Sequence, residues 1–263
     1  MTGSEEELES RIVMIAEEIL RSERIVAFTG AGISTESGIP DFRSPGGIWT
    51  RFDPEDFTIQ RFLSSETSRK KQWKVLLEGG LFGVVEPNPA HLALARLEAF
   101  GKLDCIITQN IDNLHQLAGN RPDRVLELHG SLRQVRCLDC GRRFETERIL
   151  QRLRAGVEIP DCEVCFGILK PDAVFFGESL PWDTMTAAID HSRNCDLFIV
   201  IGSSLVVAPA SHMPVHALDS GARLIIINVG DTSCDSRAHI RINGMAGSVM
   251  SRILERVSRR LCV

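Results

Sequence analysis

Short runs that are apolar almost throughout recur along the chain, at Ile25–Thr29, Cys105–Thr108, Val125–Leu128, Leu197–Ile201 and Arg223–Asn228. Each is read as a strand, because a run of this length with no polar alternation suits burial on both faces. Between them the period changes. Leu8, Ile12, Ile15, Ile19 and Leu20 keep helical spacing and predict a helix over 5–21, opened by a capping box of Ser4 and Glu7. Pro89 opens a second helix that runs through Phe100 and stops at Gly101. Asp183–His191 and Pro209–Leu218 read as helices, and a last helix closes the chain from Met245 onward. Buried strands alternating with helices predict an α/β fold with a doubly wound, Rossmann-like parallel sheet. In such a sheet the strand ends at Thr29, Thr108, Ile201 and Asn228 line one crevice, and ligands bind there.

Two regions break the rhythm. Residues 46–88 are mixed and carry the basic run Arg69-Lys-Lys71, which suits either an acidic partner or a solvated helix face. Residues 132–170 hold two cysteine pairs. The expected organisation is therefore a Rossmann-like domain of residues 1–45, 89–131 and 171–263, with 46–88 and 132–170 forming a smaller helical and zinc-binding subdomain. A chain of 263 residues can bury cores of that size. Hydrophobic residues at 43% and charged residues at 25% place it in the ordinary globular class. The net charge of −5 supplies no global field for nucleic acid or an anionic membrane. The longest apolar runs are too short to span a bilayer, and the acidic N-terminus lacks the basic and apolar regions of a signal peptide. A cytoplasmic protein without membrane or direct nucleic-acid contact is expected.

The eight cysteines sharpen this picture. Cys105, Cys195, Cys234 and Cys262 are scattered and read as small packing residues or inert thiols. Cys137, Cys140, Cys162 and Cys165 form two C-x-x-C knuckles separated by 21 residues. Four thiolates close a tetrahedral Zn²⁺ site with no open position, so the expected metal is one structural zinc ion. Two unrelated redox or packing pairs are the alternative.

Candidate ligand-binding groups sit where the strands end. Gly30 and Gly32 fit the first two glycines of a dinucleotide turn, where a bare backbone approaches a pyrophosphate and a following helix N-terminus favours its charge. The third glycine position holds Thr35, however, and no acidic residue closes a second buried strand about 20 residues on. Both departures count against hydride transfer. Thr108-Gln-Asn-Ile-Asp112 places an amide pair and a carboxylate at the crevice, though an Asx turn capping the next helix reads equally well. His129, in Glu127-Leu-His-Gly130, is a candidate general base. The other six histidines read as hydrogen-bonded structural residues. Ile201-Gly-Ser-Ser204 and Ile227-Asn228 suit ribose or phosphate contacts. A Walker loop, a G-x-S-x-G elbow and an H-E-x-x-H helix are absent from the sequence.

Taken in order, these motifs closely resemble the sirtuin family of NAD-dependent protein-lysine deacylases. The resemblance rests on Gly30-Ala-Gly-Ile-Ser34, Gly38-Ile-Pro-Asp-Phe-Arg43, Thr108–Asp112, Leu128-His-Gly130, the four cysteines, Lys170-Pro171, Val174-Phe-Phe-Gly-Glu178, Gly202-Ser-Ser-Leu205 and Ile227-Asn228, spread over roughly residues 25–250. It implies that NAD is consumed as a co-substrate. Gly30, Ala31, Gly32, Thr35, Asp41, Phe42 and Arg43 would then contact NAD, with Phe42 shielding the reacting ribose carbon from water. Gln109, Ile111 and Asp112 would hold the ribose and nicotinamide, and Asn110 would order the site. Gly202, Ser203, Ser204, Asn228 and Ala246 would bind the adenosine half. Val174, Phe175, Phe176 and Gly177 would pair with an acetylated protein or peptide bound as an extended strand. His129 would act as general base, and the products would be nicotinamide, O-acetyl-ADP-ribose and free lysine.

Two departures from the family pattern bear on specificity. Ser203 stands where many members carry threonine. The chain also contains no tyrosine, so the Tyr-x-x-Arg of succinyl- and malonyl-removing members is replaced by Leu76 and Gly79. A neutral acyl group, acetyl first, is expected, on a monomeric enzyme. Protein ADP-ribosyl transfer on the same fold is the alternative; a zinc-containing interaction module ranks behind it, since Asn110, Asp112 and His129 are all present.

Overall fold

Every second residue of a strand points to the same face, and this chain assigns the two faces of its strands to two different cores. The computed structural model describes residues 3–79 and 83–261, with side chains from Glu5 onward. The Ser4 side chain of the expected capping box, and Cys262, lie outside the described residues. Within β1 (Ile25–Thr29), Ile25 and Ala27 join a cluster with Ile12, Ile15, Ile19, Leu94, Leu97, Met250 and Ile253. These come from α1 (Gly3–Arg21), α4 (Pro89–Ala99) and α9 (Ala246–Leu261). Val26 and Phe28 face the opposite way, against Ala188, Met213 and Ala217 of α7 (Trp182–Asn194) and α8 (Met213–Asp219). Burial on both sides explains why the strands read as unbroken apolar runs.

The sheet has six parallel strands in the order β3-β2-β1-β7-β8-β9. They are β1, β2 (Leu103–Thr108), β3 (Val125–Glu127), β7 (Leu197–Ile201), β8 (Arg223–Ile227) and β9 (Ile240–Ile242). The order reverses between β1 and β7, so the crevice of a doubly wound sheet opens above Thr29 and Ile201. The chain was expected to end its sheet at Arg223–Asn228; β9 adds an edge strand whose three residues carry too little periodicity to be read alone. The helix expected over Pro209–Leu218 is divided into a 3-10 turn, Ala210–His212, and α8. Among the described residues, no helix is long and apolar enough to cross a membrane.

Residues from both interruptions build one further core. Trp73 of α3 (Glu66–Leu77) is fully buried with Val135, Phe144, Ile149, Leu153 and Leu169. Those partners lie on a three-stranded antiparallel sheet and its helix. The strands are β4 (Gly130–Cys137), β5 (Arg143–Glu145) and β6 (Leu169–Ala173) in the order β5-β4-β6, and the helix is α6 (Thr146–Arg154). A short helix, α2 (Ile59–Ser64), precedes α3, and α5 (Leu114–Leu117) follows β2. The basic run on α3 is locally engaged: Arg69 donates to the Phe62 and Leu63 carbonyls, Lys70 pairs with Glu158 at 2.9 Å, and Lys71 pairs with Asp56. It is therefore a paired helix face.

The central strands carry the greatest cost of truncation. Ile199 is fully buried in the middle of β7, between β1 and β8. Ile199→Ala is expected to lower the unfolding free energy by about 3 kcal/mol, read as a lower urea midpoint with an unchanged slope.

Candidate active site

β1 ends where its backbone meets the exit of β7. The Gly32 N–H donates to the Gly202 carbonyl at 2.8 Å, and a Cβ on Gly32 would lie 2.8 Å from the Gly202 Cα. Gly202 has φ +63, and a Cβ there would lie 2.1 Å from the Ile33 nitrogen. The glycines of the turn are thus required by backbone-on-backbone packing of two strand exits, beside any role in approaching a pyrophosphate. The expected helix after Gly32 is instead a 3-10 turn, Ala31–Ser37, closed by Gly38 in the left-handed region at φ 91. Pro40 follows two residues on and cannot continue a helix.

One cavity of about 1080 Å³ opens at this junction. Its wall includes Gly30, Ala31, Gly32, Thr35, Asp41, Phe42, Arg43, Gln109, Asn110, Ile111, Asp112 and His129. It continues over Val174, Phe175, Phe176, Gly177, Gly202, Ser203, Ser204, Asn228 and Ala246. All the candidate residues outside the cysteine cluster therefore meet in a single space.

Hydrogen bonds hold the polar groups of this wall. Asn110 donates through Nδ2 to the Gly30 carbonyl at 3.2 Å and to the Ser34 hydroxyl at 3.1 Å. Ser34 donates in turn to Asp112 at 2.7 Å, whose other oxygen accepts the Leu114 N–H at 3.0 Å. Burial raises the Asp112 carboxyl, and those two donors oppose the rise. Gln109 reaches across the strand order and donates to the Ser203 hydroxyl at 2.8 Å. Beneath them the Asn110 N–H donates to the Thr108 hydroxyl at 3.0 Å; Thr108 bonds the Thr29 hydroxyl at 2.8 Å, and Thr29 lies 2.9 Å from His115 Nε2. His115 thus has the structural place expected of it, in the core under the site.

His129 sits at the exit of β3. Its Nδ1 lies 2.9 Å from the Gln109 carbonyl. A carbonyl only accepts, so Nδ1 carries the proton and Nε2 keeps a lone pair. Burial lowers the imidazole below its ordinary value, and the Gln109 bond opposes this. A neutral imidazole with a fixed tautomer is the form that can take a proton.

Several wall residues carried no sequence signal. Ser34 was visible only as part of the glycine turn. Trp49, Phe57 and Val206 line the cavity from turns and loops without periodicity, and Leu132 lines it from β4. Trp49 lies 5.2 Å from Phe42, 5.6 Å from Phe57 and 5.9 Å from Phe176 between ring centres, which joins three loops in one aromatic cluster. Among Val174–Gly177, three residues already have internal partners. The Val174 N–H donates to the His129 carbonyl. The Phe176 N–H donates to the Phe57 carbonyl and its carbonyl accepts from Ile59, while the Phe175 N–H donates to Glu178 Oε2 at 2.7 Å.

The four knuckle cysteines converge separately, with all four sulfurs within 4.8 Å of one another. Cys137 Sγ lies 3.5 Å from Cys165 Sγ, and Cys140 Sγ 3.8 Å from Cys162 Sγ. A tetrahedron with Zn–S bonds of about 2.3 Å has edges of about 3.8 Å, so the four thiols fit one Zn²⁺ with no position left for substrate.

Comparison with known proteins gives a consistent set of relatives. The model of the Sir2 family matches residues 30–209. The chain is 43% identical over 253 residues to NAD-dependent protein deacylase 2 of Archaeoglobus fulgidus, covering 96% of this chain and 98% of that one. It is 47% identical over 240 residues to the NAD-dependent protein deacetylase of Thermodesulfovibrio yellowstonii, covering 90% and 91%. Among solved structures, a Sir2 enzyme from a study of mechanism and regulation superposes with a TM-score of 0.86 at 44% identity, covering 96% and 99%. A Sir2 complex with a p53 peptide and NAD⁺ superposes with a TM-score of 0.83 at 37% identity, covering 92% and 96%.

Two outcomes are expected from this geometry. Purified protein is expected to hold one zinc per chain by elemental analysis, and Cys140→Ala to lose it along with protection of the β4–β6 amides in hydrogen exchange. The second concerns acid. Burial lowers His91 to about 4 and His115 well below its ordinary value. The unfolded chain therefore binds protons that the folded one refuses, starting near pH 6.5. Stability is expected to be full above about pH 7 and to fall as pH drops toward 4, by up to about 1.4 kcal/mol per pH unit for each such histidine. Urea midpoints across that range measure it.

Proposed function

This chain belongs to the Sir2 family, and from that premise we propose that it removes acetyl and other neutral acyl groups from protein lysines in an NAD-dependent reaction. One observation carries the reading: a neutral imidazole with its lone pair fixed by tautomer stands in the same cavity as the Gly30–Gly32 turn, Asn110 and Asp112. NAD, when bound, supplies an electrophilic ribose carbon and nicotinamide as leaving group.

The protein's part is to bind, orient and keep dry. Gly30, Ala31, Gly32, Thr35, Asp41 and Arg43 would meet NAD from the β1 exit. Gln109, Ile111 and Asp112 would meet its nicotinamide ribose, and Gly202, Ser203, Ser204, Asn228 and Ala246 its adenosine half. Asn110 has its amide N–H groups committed to Gly30 and Ser34, so its position does not depend on ligand. His129 Nε2 takes the proton of a ribose hydroxyl, and the Gln109 carbonyl stabilises the imidazolium that results. Phe42, packed on Trp49, covers the reacting end against water. The Cys₄ zinc would be structural and take no part in these steps.

A neutral acyl group follows from what lines the cavity. Trp49, Phe57, Val75, Leu76 and Leu132 face it, and Arg43 is the only lysine or arginine among the described lining residues. An acyl carboxylate placed against those apolar side chains would lose its hydration without a partner. We further propose a cytoplasmic monomer that takes acetylated protein segments and neither membrane nor nucleic acid, consistent with its net charge of −5.

The test is mass spectrometry of an acetyl-lysine peptide incubated with and without NAD. Free lysine and O-acetyl-ADP-ribose are expected only with NAD, and His129→Ala is expected to lower the rate by about 10²- to 10⁴-fold. Consumption of NAD with the acetyl group left in place would point to ADP-ribosyl transfer instead. On matched peptides, acetyl turnover is expected to exceed succinyl turnover, and the reverse order would sink the assignment of a neutral acyl group.

A further inference from the structure

Lys170 stands on β6 with its side chain only 1% exposed, a rare place for a charged residue. Its ammonium is met on all sides. Nζ donates to the Pro171 carbonyl at 2.9 Å and to the Ala173 carbonyl at 2.5 Å, lies 2.9 Å from Glu178 Oε2, and sits 4.2 Å from the centre of the Phe175 ring. Three donors find three acceptors and the face of one ring. The same Glu178 oxygen accepts the Phe175 N–H, and the Glu178 N–H donates to the Phe175 carbonyl at 3.0 Å. The stretch Ala173–Glu178 is thereby wrapped around one buried ion pair.

Stability alone is a poor reason for such a pair. Burying the ammonium and most of the carboxylate strips both of hydration, and apolar side chains of similar volume commonly fill such a place at no loss. What the pair does give is a single shape. The outer side of the stretch lines the cavity through Val174, Phe175, Phe176, Gly177 and Glu178. The Val174 N–H donates to the His129 carbonyl at 2.8 Å, which sets the stretch in register with the proposed base. Phe176 is tied on its far edge to Phe57 and Ile59, and Gly177 holds φ +86 between the two fixed neighbours. Glu178 also lies near Arg136, whose guanidinium pairs with Asp172 at 3.3 Å, so the clip is anchored in the three-stranded sheet.

We propose that Lys170 and Glu178 are positioning residues for the acyl-peptide, and that their buried pair holds the Val174–Gly177 edge in the conformation that accepts the peptide backbone beside His129. The role rests on the deacylase reading above. It concerns peptide recognition and leaves NAD recognition to the other wall of the cavity.

The experiment measures KM for an acetyl-lysine peptide at saturating NAD, kcat, and NAD affinity by calorimetry, for the wild type, Lys170→Met, Glu178→Gln and the double variant. Lys170→Met is expected to raise the peptide KM by about 10- to 100-fold, the worth of a hydrogen bond to a charged group. Its kcat and NAD affinity are expected to stay within about twofold. Glu178→Gln keeps an acceptor for the Phe175 N–H, so a smaller rise is expected. The double variant removes the unpaired charge and is expected to regain thermal stability while its peptide KM stays high. Single variants with a wild-type peptide KM, a double variant that recovers peptide KM together with stability, or an equal loss of NAD affinity would each overturn the proposal. A wild type that binds NAD but turns over no acyl-peptide would overturn the deacylase reading, and this role with it.

Discussion

The contact on which the rest depends is between two pieces of bare backbone. Where β1 and β7 leave the sheet, Gly32 and Gly202 approach so closely that neither tolerates a Cβ. Thr29 and Ile201 are neighbours in register, and the two chains diverge immediately above them. In a doubly wound sheet this is the one place where successive connections pass to opposite faces, so a crevice opens there without any side chain having to make it. The 3-10 turn after Gly30 forms one lip, and Gly202–Ser204 forms the other.

Under the crevice lies a polar seam inside an otherwise apolar core. Thr29, Thr108, Asn110 and His115 are all buried and linked by hydrogen bonds from the strand ends upward. His91 packs beside His115 with ring centres 5.0 Å apart and receives the Asn88 N–H at 3.4 Å. Asn88 also donates to the Ile33 carbonyl at 2.7 Å, which ties the start of α4 to the glycine turn. Buried polar groups of this kind tolerate few alternative arrangements, because each lost partner leaves a desolvated donor or acceptor. The seam therefore fixes Asn110 and Asp112 before any ligand arrives.

The smaller core makes the opposite wall. Trp73 and the three-stranded sheet place Leu76 and Val75 toward the cavity, and β6 runs directly from the cysteine cluster's sheet into Val174–Gly177. Cys137 ends β4 one residue after Arg136, the arginine that anchors Asp172 and faces Glu178. The cysteine cluster is in this way connected through one small sheet to the segment Val174–Gly177 at the cavity. Four thiols suited to one zinc ion and the Lys170–Glu178 pair both lie along this small sheet, where the hydrophobic core is smaller than those of the main sheet.

Much of this was legible in the residues themselves. Strands such as Leu197–Ile201 declare themselves because burial on both faces leaves no polar position, and helices such as 5–21 because one apolar face must repeat. The knuckle spacing named a zinc site because thiolate coordination needs short local turns. The motif order marked the site's members, since strand exits are sequence-local features. Other features were set only when distant segments met. Trp49, Phe57 and Val206 reach the cavity from segments with no period, and β9 became a strand only against β8. Gly202 matters because Gly32 stands 170 positions away in the chain and close by in space. Lys170 read as part of a motif, but its buried pairing with Glu178 depends on how Ala173–Glu178 folds over it. Local pattern determines which elements form, because hydrogen bonding and burial period are properties of short stretches. Tertiary packing decides which side chains share one desolvated space, because that depends on contacts between segments that sequence order keeps apart.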